Sequence, residues 1–285
     1  MNNNLPTFVK WAGGKSQLIE QYKKHFPKKV ERYFEPFLGS GAIFFFIKKQ
    51  FKPKEFFLSD NNDELINTFI IVRDKVEELI ESLKKRKKQH NKEYFYKVRR
   101  ENPKELSDIE RASRFIYLNK TCYNGLYRVN SKGEFNVPFG DYKNPSIFDE
   151  KVLREASELL KGVEIKTLPF ESVLDKAKNK NDFIYFDPPY FPVSKTSSFT
   201  SYTKDAFLEK EQKKLAEVFE ELNKRGCKIM LSNSDHPLIR NLYINFNRFP
   251  IKARRSICCI GTKRGKIGEL LIANYPKNLK GFIKG

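Results

Sequence analysis

Asp187-Pro188-Pro189-Tyr190 closes an apolar run over residues 182–186. Two successive prolines hold a chain extended and rigid. Here they stand at the carboxyl end of a predicted strand, where α/β proteins place their ligands. Such a segment can be a plain strand stop. It can also serve an exocyclic amine such as adenine N6, a poor nucleophile because its lone pair is conjugated with the ring. The Asp187 carboxylate and the Pro188 carbonyl could accept the two N–H bonds and aim the lone pair at a sulfonium methyl, with Tyr190 stacked on the base.

Gly39-Ser40-Gly41 begins a dinucleotide fingerprint, but Phe44 occupies the third glycine position, where close packing on a pyrophosphate needs a small residue. A lone Gly-x-Gly says little. It gains meaning from Asp60, about 20 residues further on at a predicted strand end, where a carboxylate can take both ribose hydroxyls of an adenosine. Together they indicate an adenosine cofactor without a pyrophosphate, a description that S-adenosylmethionine meets. Gly13-Gly14-Lys15-Ser16 looks like the end of a P-loop, yet Val9 stands where the first glycine belongs. A glycine turn opening a helix is the simpler reading.

Other chemistries find little footing. No Pro-Cys dipeptide occurs, whereas methylation of cytosine C5 needs a thiolate nucleophile. There is neither a hydrolase elbow nor a paired-carboxylate metal pattern. Cys122, Cys227, Cys258 and Cys259 form no Cys-x-x-Cys pair, and His25, His90 and His236 are far apart. A metal-free protein is expected, with Cys258 and Cys259 as buried strand residues.

These residues need elements to hold them. Strand-then-turn units are predicted at 32–37, running into the glycine loop and the apolar 42–47, at 55–60 before a helix over 61–69, and at 182–186. Further strands are expected at 228–233 and 269–273. Between the second and third units the character changes. Residues 75–104 hold 11 basic and 5 acidic residues, with Val76, Leu79, Ile80 and Leu83 in helical spacing. A second helix is expected over 109–118, then a turn-rich stretch over 119–145 with Asn124-Gly125 and Lys132-Gly133. Residues 73–150 thus read as a module inserted into an α/β core formed by 1–72 and 151–285.

The chain has 285 residues, a formal charge of +20, 39% hydrophobic residues and 26 Phe. That is enough apolar material for a core, which excludes a disordered basic tail and leaves a polyanionic partner as one use for the charge. Residues 248–268 add 7 basic residues and no acidic one. The longest apolar run, 42–47, is far too short for a bilayer span, and the first residues carry no leader pattern. A cytoplasmic protein with no membrane partner is expected.

At this point the chain resembles the Dam-type DNA adenine-N6 methyltransferases, over nearly its whole length. Lys10-Trp11-Ala12-Gly13-Gly14-Lys15 is similar to that family's N-terminal cofactor motif, Glu35-Pro36-Phe37-Leu38-Gly39-Ser40-Gly41 to its glycine loop, and Asp187-Pro188-Pro189-Tyr190 to its catalytic motif. Tyr117-Leu118-Asn119, Tyr123-Asn124-Gly125-Leu126, Arg128 and residues 133–140 resemble its recognition segment, and Arg254-Arg255-Ser256-Ile257 a segment near its C-terminus. The resemblance implies an α/β fold: a Rossmann-like S-adenosylmethionine-dependent methyltransferase core with an inserted, mainly helical target-recognition domain. It implies Asp187, Pro188, Pro189 and Tyr190 as catalytic, and Trp11, Lys15, Glu35, Phe37, Gly39, Gly41, Asp60, Phe170 and Asp187 around the cofactor.

For double-stranded DNA it implies Tyr123 and Asn124 at the gap left by an extruded adenine. Arg128 and Lys10 would read guanines, and Leu126 and Pro138 a thymine methyl. The implied site is GATC or a longer sequence containing GAT, read without a metal, and a companion restriction endonuclease acting on the same site without stable binding is a further implied partner. Asp141 departs from the basic residue that several relatives carry. Two rivals stay open: a protein-glutamine methyltransferase, for which the basic module has no use, and a catalytically silent DNA-binding protein on the same fold, against which Asp60 and Asp187 argue.

Overall fold

The computed structural model describes residues 5–192, 207–253 and 267–276. Seven strands among them form one sheet: β1 (Arg32–Glu35), β2 (Glu55–Asp60), β3 (Glu164–Thr167), β4 (Asp182–Phe186), β5 (Lys228–Ser234), β6 (Asn247–Ala253) and β7 (Ile267–Ala273). Their order is β3-β2-β1-β4-β5-β7-β6. β1 and β4 therefore flank the point where strand order reverses, the place at which open α/β sheets bind ligands. The helices are α1 (Ile19–Tyr22), α2 (Ala42–Gln50), α3 (Asp63–Asp74), α4 (Val76–Lys88), α5 (Lys92–Arg100), α6 (Asp108–Thr121), α7 (Glu150–Leu160), α8 (Val173–Lys176), α9 (Glu209–Lys224) and α10 (Pro237–Leu242). A mixed sheet of this kind with its helices is a Rossmann-like α/β fold, as the motif order implied. The pair Cys258-Cys259 and the segment Arg254-Arg255-Ser256-Ile257 lie outside the described residues.

The chain divides into two compact units. The first comprises Met1–Ile19, Leu38–Lys52 and Leu58–Thr167, the second Glu20–Phe37, Pro53–Phe57 and Leu168–Gly285.

In the first unit, polar caps set where α3, α5, α6 and α7 begin, whereas α2 and α4 start without a side-chain cap. Asn62 Oδ1 accepts the Leu65 N–H of α3, Asn91 Oδ1 the Tyr94 N–H of α5, and Asp149 Oδ1 the Lys151 and Val152 N–H groups of α7. Ser107 and Glu110 form a capping box on α6. The basic stretch expected as one amphipathic region is two helices, because extended Asn91 ends the register of α4 and restarts it as α5. Leu79, Ile80, Leu83, Phe95 and Val98 are buried in it. Part of its charge is internal: buried Arg86 pairs with Glu101 at 3.1 Å and donates to Ser113.

In the second unit β1, β4 and β5 are parallel, with Phe34 beside Ile184 and Ile184 beside Ile229. β7 runs antiparallel between β5 and β6. The apolar side chains Phe34, Ile184, Phe186, Ile229, Leu231, Leu270 and Ile272 form one cluster with Leu215, Phe219 and Leu222 of α9. Strand side chains alternate between faces, so Tyr33, Tyr185, Ser232 and Glu269 leave the other side.

Candidate functional site

In the first unit the glycine loop is built by backbone hydrogen bonds. Leu38 N–H donates to Ser59 O at 3.1 Å, and Gly41 N–H to Leu38 O at 2.8 Å. Gly39 and Gly41 have φ of +49° and +69°, a region that favours glycine. Space makes the same demand, since a Cβ on Gly39 would lie 2.8 Å from the Trp11 ring. The loop closes on Asp60: Gly39 N–H donates to its Oδ2 at 3.3 Å and Asn62 N–H to its Oδ1 at 3.0 Å. Burial pushes the Asp60 carboxyl above the usual range, while the loop amides pull it back down. The Asn61 and Leu38 amides also lie close enough to favour its charged form.

Trp11 stacks on Tyr127 with centroids 5.9 Å apart and a 22° interplanar angle. Lys15 is buried and donates to Gly13 O at 2.5 Å, at the start of a short 3-10 turn rather than a P-loop.

The candidate DNA-reading residues also belong to this unit, where hydrogen bonds tie several of their segments together. Buried Asn119 holds Lys10 through both backbone groups, accepting its N–H at 2.7 Å and donating to its carbonyl at 2.8 Å. It also donates to Gly125 O at 3.1 Å. That ties Lys10 to the turn at Tyr123, Asn124 and Gly125, where Asn124 has φ +56°. Tyr123 is 49% exposed, and its N–H donates to Pro138 O at 2.9 Å. Leu126 N–H donates back to Tyr123 O, and Arg128 O accepts the Asn136 N–H. Exposed Arg128 also donates from Nε to Asn136 Oδ1 at 2.7 Å, which orients its guanidinium. Burial, with Lys10 alongside, lowers the Lys120 ammonium to about 8. Nothing in the local pattern marks Asn119 as a tie between segments so distant in sequence.

The second unit holds Glu35, Phe37, Phe170 and the catalytic candidates. Glu35 is 2% exposed and accepts the Tyr33 hydroxyl at 2.7 Å. Phe37 stacks on Phe170, with centroids 5.4 Å apart and a 23° angle. At the end of β4, Ser232 Oγ donates to Asp187 Oδ1 at 2.8 Å. Tyr185 lies 2.9 Å from the same Ser232 oxygen and is therefore the donor to it. The Tyr190 hydroxyl lies within electrostatic reach of Tyr22, Asp187, Glu269 and Ser232, and burial pushes it well above the usual phenol range. Gln212 Nε2 donates to Pro189 O at 3.0 Å. Gln212, Ser232 and Asn233 were absent from the expected site. Their only sequence signal is that a buried apolar strand, β5, ends in small polar residues.

Among the described residues no group of three or more His, Cys, Asp or Glu side chains could hold a metal ion, and no helix is long and apolar enough to cross a membrane.

Comparison with known proteins identifies the family. The chain is 45% identical over 285 residues to the Type II methyltransferase M.MjaIII of Methanocaldococcus jannaschii, covering 94% of this chain and 98% of that protein. It is 42% identical to the Type II methyltransferase M1.LlaDCHI of Lactococcus lactis subsp. cremoris, over 95% and 96% of the two chains. To the DNA adenine methylase of Escherichia coli it is 36% identical, over 94% and 95%. The fold and these similarities are those of a DNA methyltransferase that acts on adenine. A family model described as D12 class N6 adenine-specific DNA methyltransferase matches residues 11–257, and the chain belongs to that family.

Proposed function

We propose that the protein transfers a methyl group from S-adenosylmethionine to adenine N6 in duplex DNA, at GATC or a site containing GAT, acting on an extruded base. The observation that carries the cofactor assignment is the Gly39 N–H bond to Asp60, which couples a glycine loop to an acid at a strand end, the position from which a carboxylate takes ribose hydroxyls. When bound, the cofactor supplies an electrophilic sulfonium methyl. Trp11, Lys15, Glu35, Phe37, Gly39, Gly41, Asp60, Phe170 and Asp187 contribute its contacts.

Asp187 and the Pro188 carbonyl accept the two N–H bonds of the amine, which localises its lone pair for direct, in-line attack without a covalent enzyme intermediate. Pro189 keeps the segment extended, and Tyr190 supports the base.

Residues 73–150 act as the target-recognition domain and 1–72 with 151–285 as the catalytic core. Tyr123 and Asn124 fill the gap left by the adenine. Arg128 and Lys10 read guanines, while Leu126 and Pro138 contact a thymine methyl. Lysines and arginines of α4, α5 and residues 248–268 hold the phosphates, so affinity falls steeply with salt. The exposed Asp141 repels a phosphate there, and Lys143 can take that contact. The protein works in the cytoplasm, and a restriction endonuclease cutting the same site is its companion without a stable complex.

The deciding experiment incubates the purified protein with labelled S-adenosylmethionine and duplexes that contain or lack GATC, then maps the modified bases. Label in adenine at GAT-containing sites supports the reading, while label in protein or no transfer sinks it. Arg128→Ala is expected to relax the preference at one guanine by about 1–3 kcal/mol. A uniform loss across sequences would make Arg128 a phosphate contact instead.

A further inference from the structure

Ser232 and Asn233 are consecutive residues of β5, so their side chains leave opposite faces of the sheet. Ser232 reaches the Asp187-Pro188-Pro189-Tyr190 segment directly, and Asn233 reaches it through Gln212. On one face the Tyr185 hydroxyl donates to Ser232 Oγ and Ser232 donates to Asp187 Oδ1, at 2.9 and 2.8 Å. On the other, Asn233 Nδ2 donates to Gln212 Oε1 at 2.9 Å, and Gln212 Nε2 donates to Pro189 O at 3.0 Å. Just beyond the segment, Phe191 N–H donates to Asn233 Oδ1 at 3.2 Å and Ser234 Oγ donates to Phe191 O at 2.7 Å.

Tyr185, Ser232, Asn233 and Gln212 are each fully buried. Buried amides and hydroxyls keep one geometry because leaving a donor or acceptor unmade is costly. Both ends of the segment are therefore fixed, and the prolines remove most of the remaining backbone freedom between them. Among the described residues the Pro188 carbonyl takes no hydrogen bond, which leaves its lone pairs unused within the protein.

We propose that Ser232 and the Asn233-Gln212 pair are positioning residues for methyl transfer. Ser232 fixes the rotation of the Asp187 carboxylate, and the amide pair occupies the Pro189 carbonyl so that the Pro188 carbonyl alone faces the amine. The proposal rests on the functional reading above, because the two acceptors matter only if an amine is the nucleophile. It goes further in predicting that removing these bonds slows the chemical step while leaving both ligands bound.

The test is single-turnover transfer from labelled S-adenosylmethionine to a GATC duplex, with KM for DNA and for cofactor measured alongside. Ser232→Ala and Gln212→Ala are expected to slow transfer about 10- to 100-fold, with both KM values within about 2-fold of the parent. Ser232→Thr keeps the hydroxyl and is expected to stay within about 3-fold of the parent rate.

Parent-like rates in both alanine variants overturn the proposal. So does a loss of rate in Ser232→Thr equal to that in Ser232→Ala and matched by a lowered Tm, because the side chains would then serve folding alone. If the unaltered protein fails to methylate any duplex, the functional reading itself falls and takes the proposal with it. An active parent with unaffected variants removes only the positioning role.

Discussion

The two faces of the sheet in the second unit come from the same strands and do different things. One carries Phe34, Ile184, Phe186, Ile229, Leu231, Leu270 and Ile272, packed with the apolar stripe of α9. The other carries, beside the buried Phe183, Met230 and Leu271, the polar residues Tyr33, Tyr185, Ser232 and Glu269, whose network of hydrogen bonds includes Glu35, Asp187 and Tyr22. Apart from Asn233 and its bond to Gln212, the apolar face contributes stability through buried area, which tolerates many sequences of similar volume. The polar face is equally buried but acts through directional bonds, so it specifies where a carboxylate sits. Burying that many hydroxyls and carboxylates is tolerable only because they satisfy each other. The difference teaches that equal burial does not mean equal purpose.

The comparison can be broken by substitution. The largest effect is expected for Asp187→Ala, on the polar side, with methyl transfer falling by about 10²–10⁴-fold and DNA binding in a mobility-shift assay unchanged. A parent-like rate would remove the chemistry from this face. Next, Ile229→Ala on the apolar side is expected to lower unfolding free energy by about 2–5 kcal/mol, read from urea denaturation, with the rate per folded molecule preserved. A slowed but fully folded enzyme would show that the faces are not separable.

The smallest expected effect sharpens the contrast through pH. Burial, reinforced by neighbouring carboxylates, raises the Tyr22, Tyr33 and Tyr185 hydroxyls well above their ordinary 10.0 in the folded protein. The unfolded chain then releases these protons first, so stability is intact below about pH 10 and is lost as pH climbs past it. Each such phenol contributes about 1.4 kcal/mol per pH unit of that loss. Thermal melts across this range should show a shallower decline for Tyr185→Phe, and an unchanged slope would contradict the assignment.

Much of this was legible in the chain. The runs at 55–60, 182–186, 228–233 and 269–273 are apolar enough to be strands, and each lies within one. Strands β3 and β6 were not legible, since Glu164–Thr167 is half charged and Asn247–Ala253 mixes polar residues with a proline. Their pairing supplies what their composition lacks. In the candidate site, Gly39, Gly41 and Asp60 stood out because glycine tolerance of positive φ and an acid at a strand end are local signatures. Asn119, Gln212 and Ser232 did not, because an Asn in a helix or a Ser in a strand has many ordinary uses.

The amino-acid sequence by itself determined the motifs and their order: the glycine loop, the acid about 20 residues beyond it, the basic insertion and the Asp-Pro-Pro-Tyr segment. Those depend on local backbone preference and composition, which neighbours along the chain already encode. Only the tertiary structure decided which side chains hold them. Ser232 meets Asp187 because β5 lies beside β4 in one register, and Asn119 meets Lys10 across 109 residues of chain. Hydrogen bonds are short and directional, so such partnerships exist only once packing has set the distances between elements.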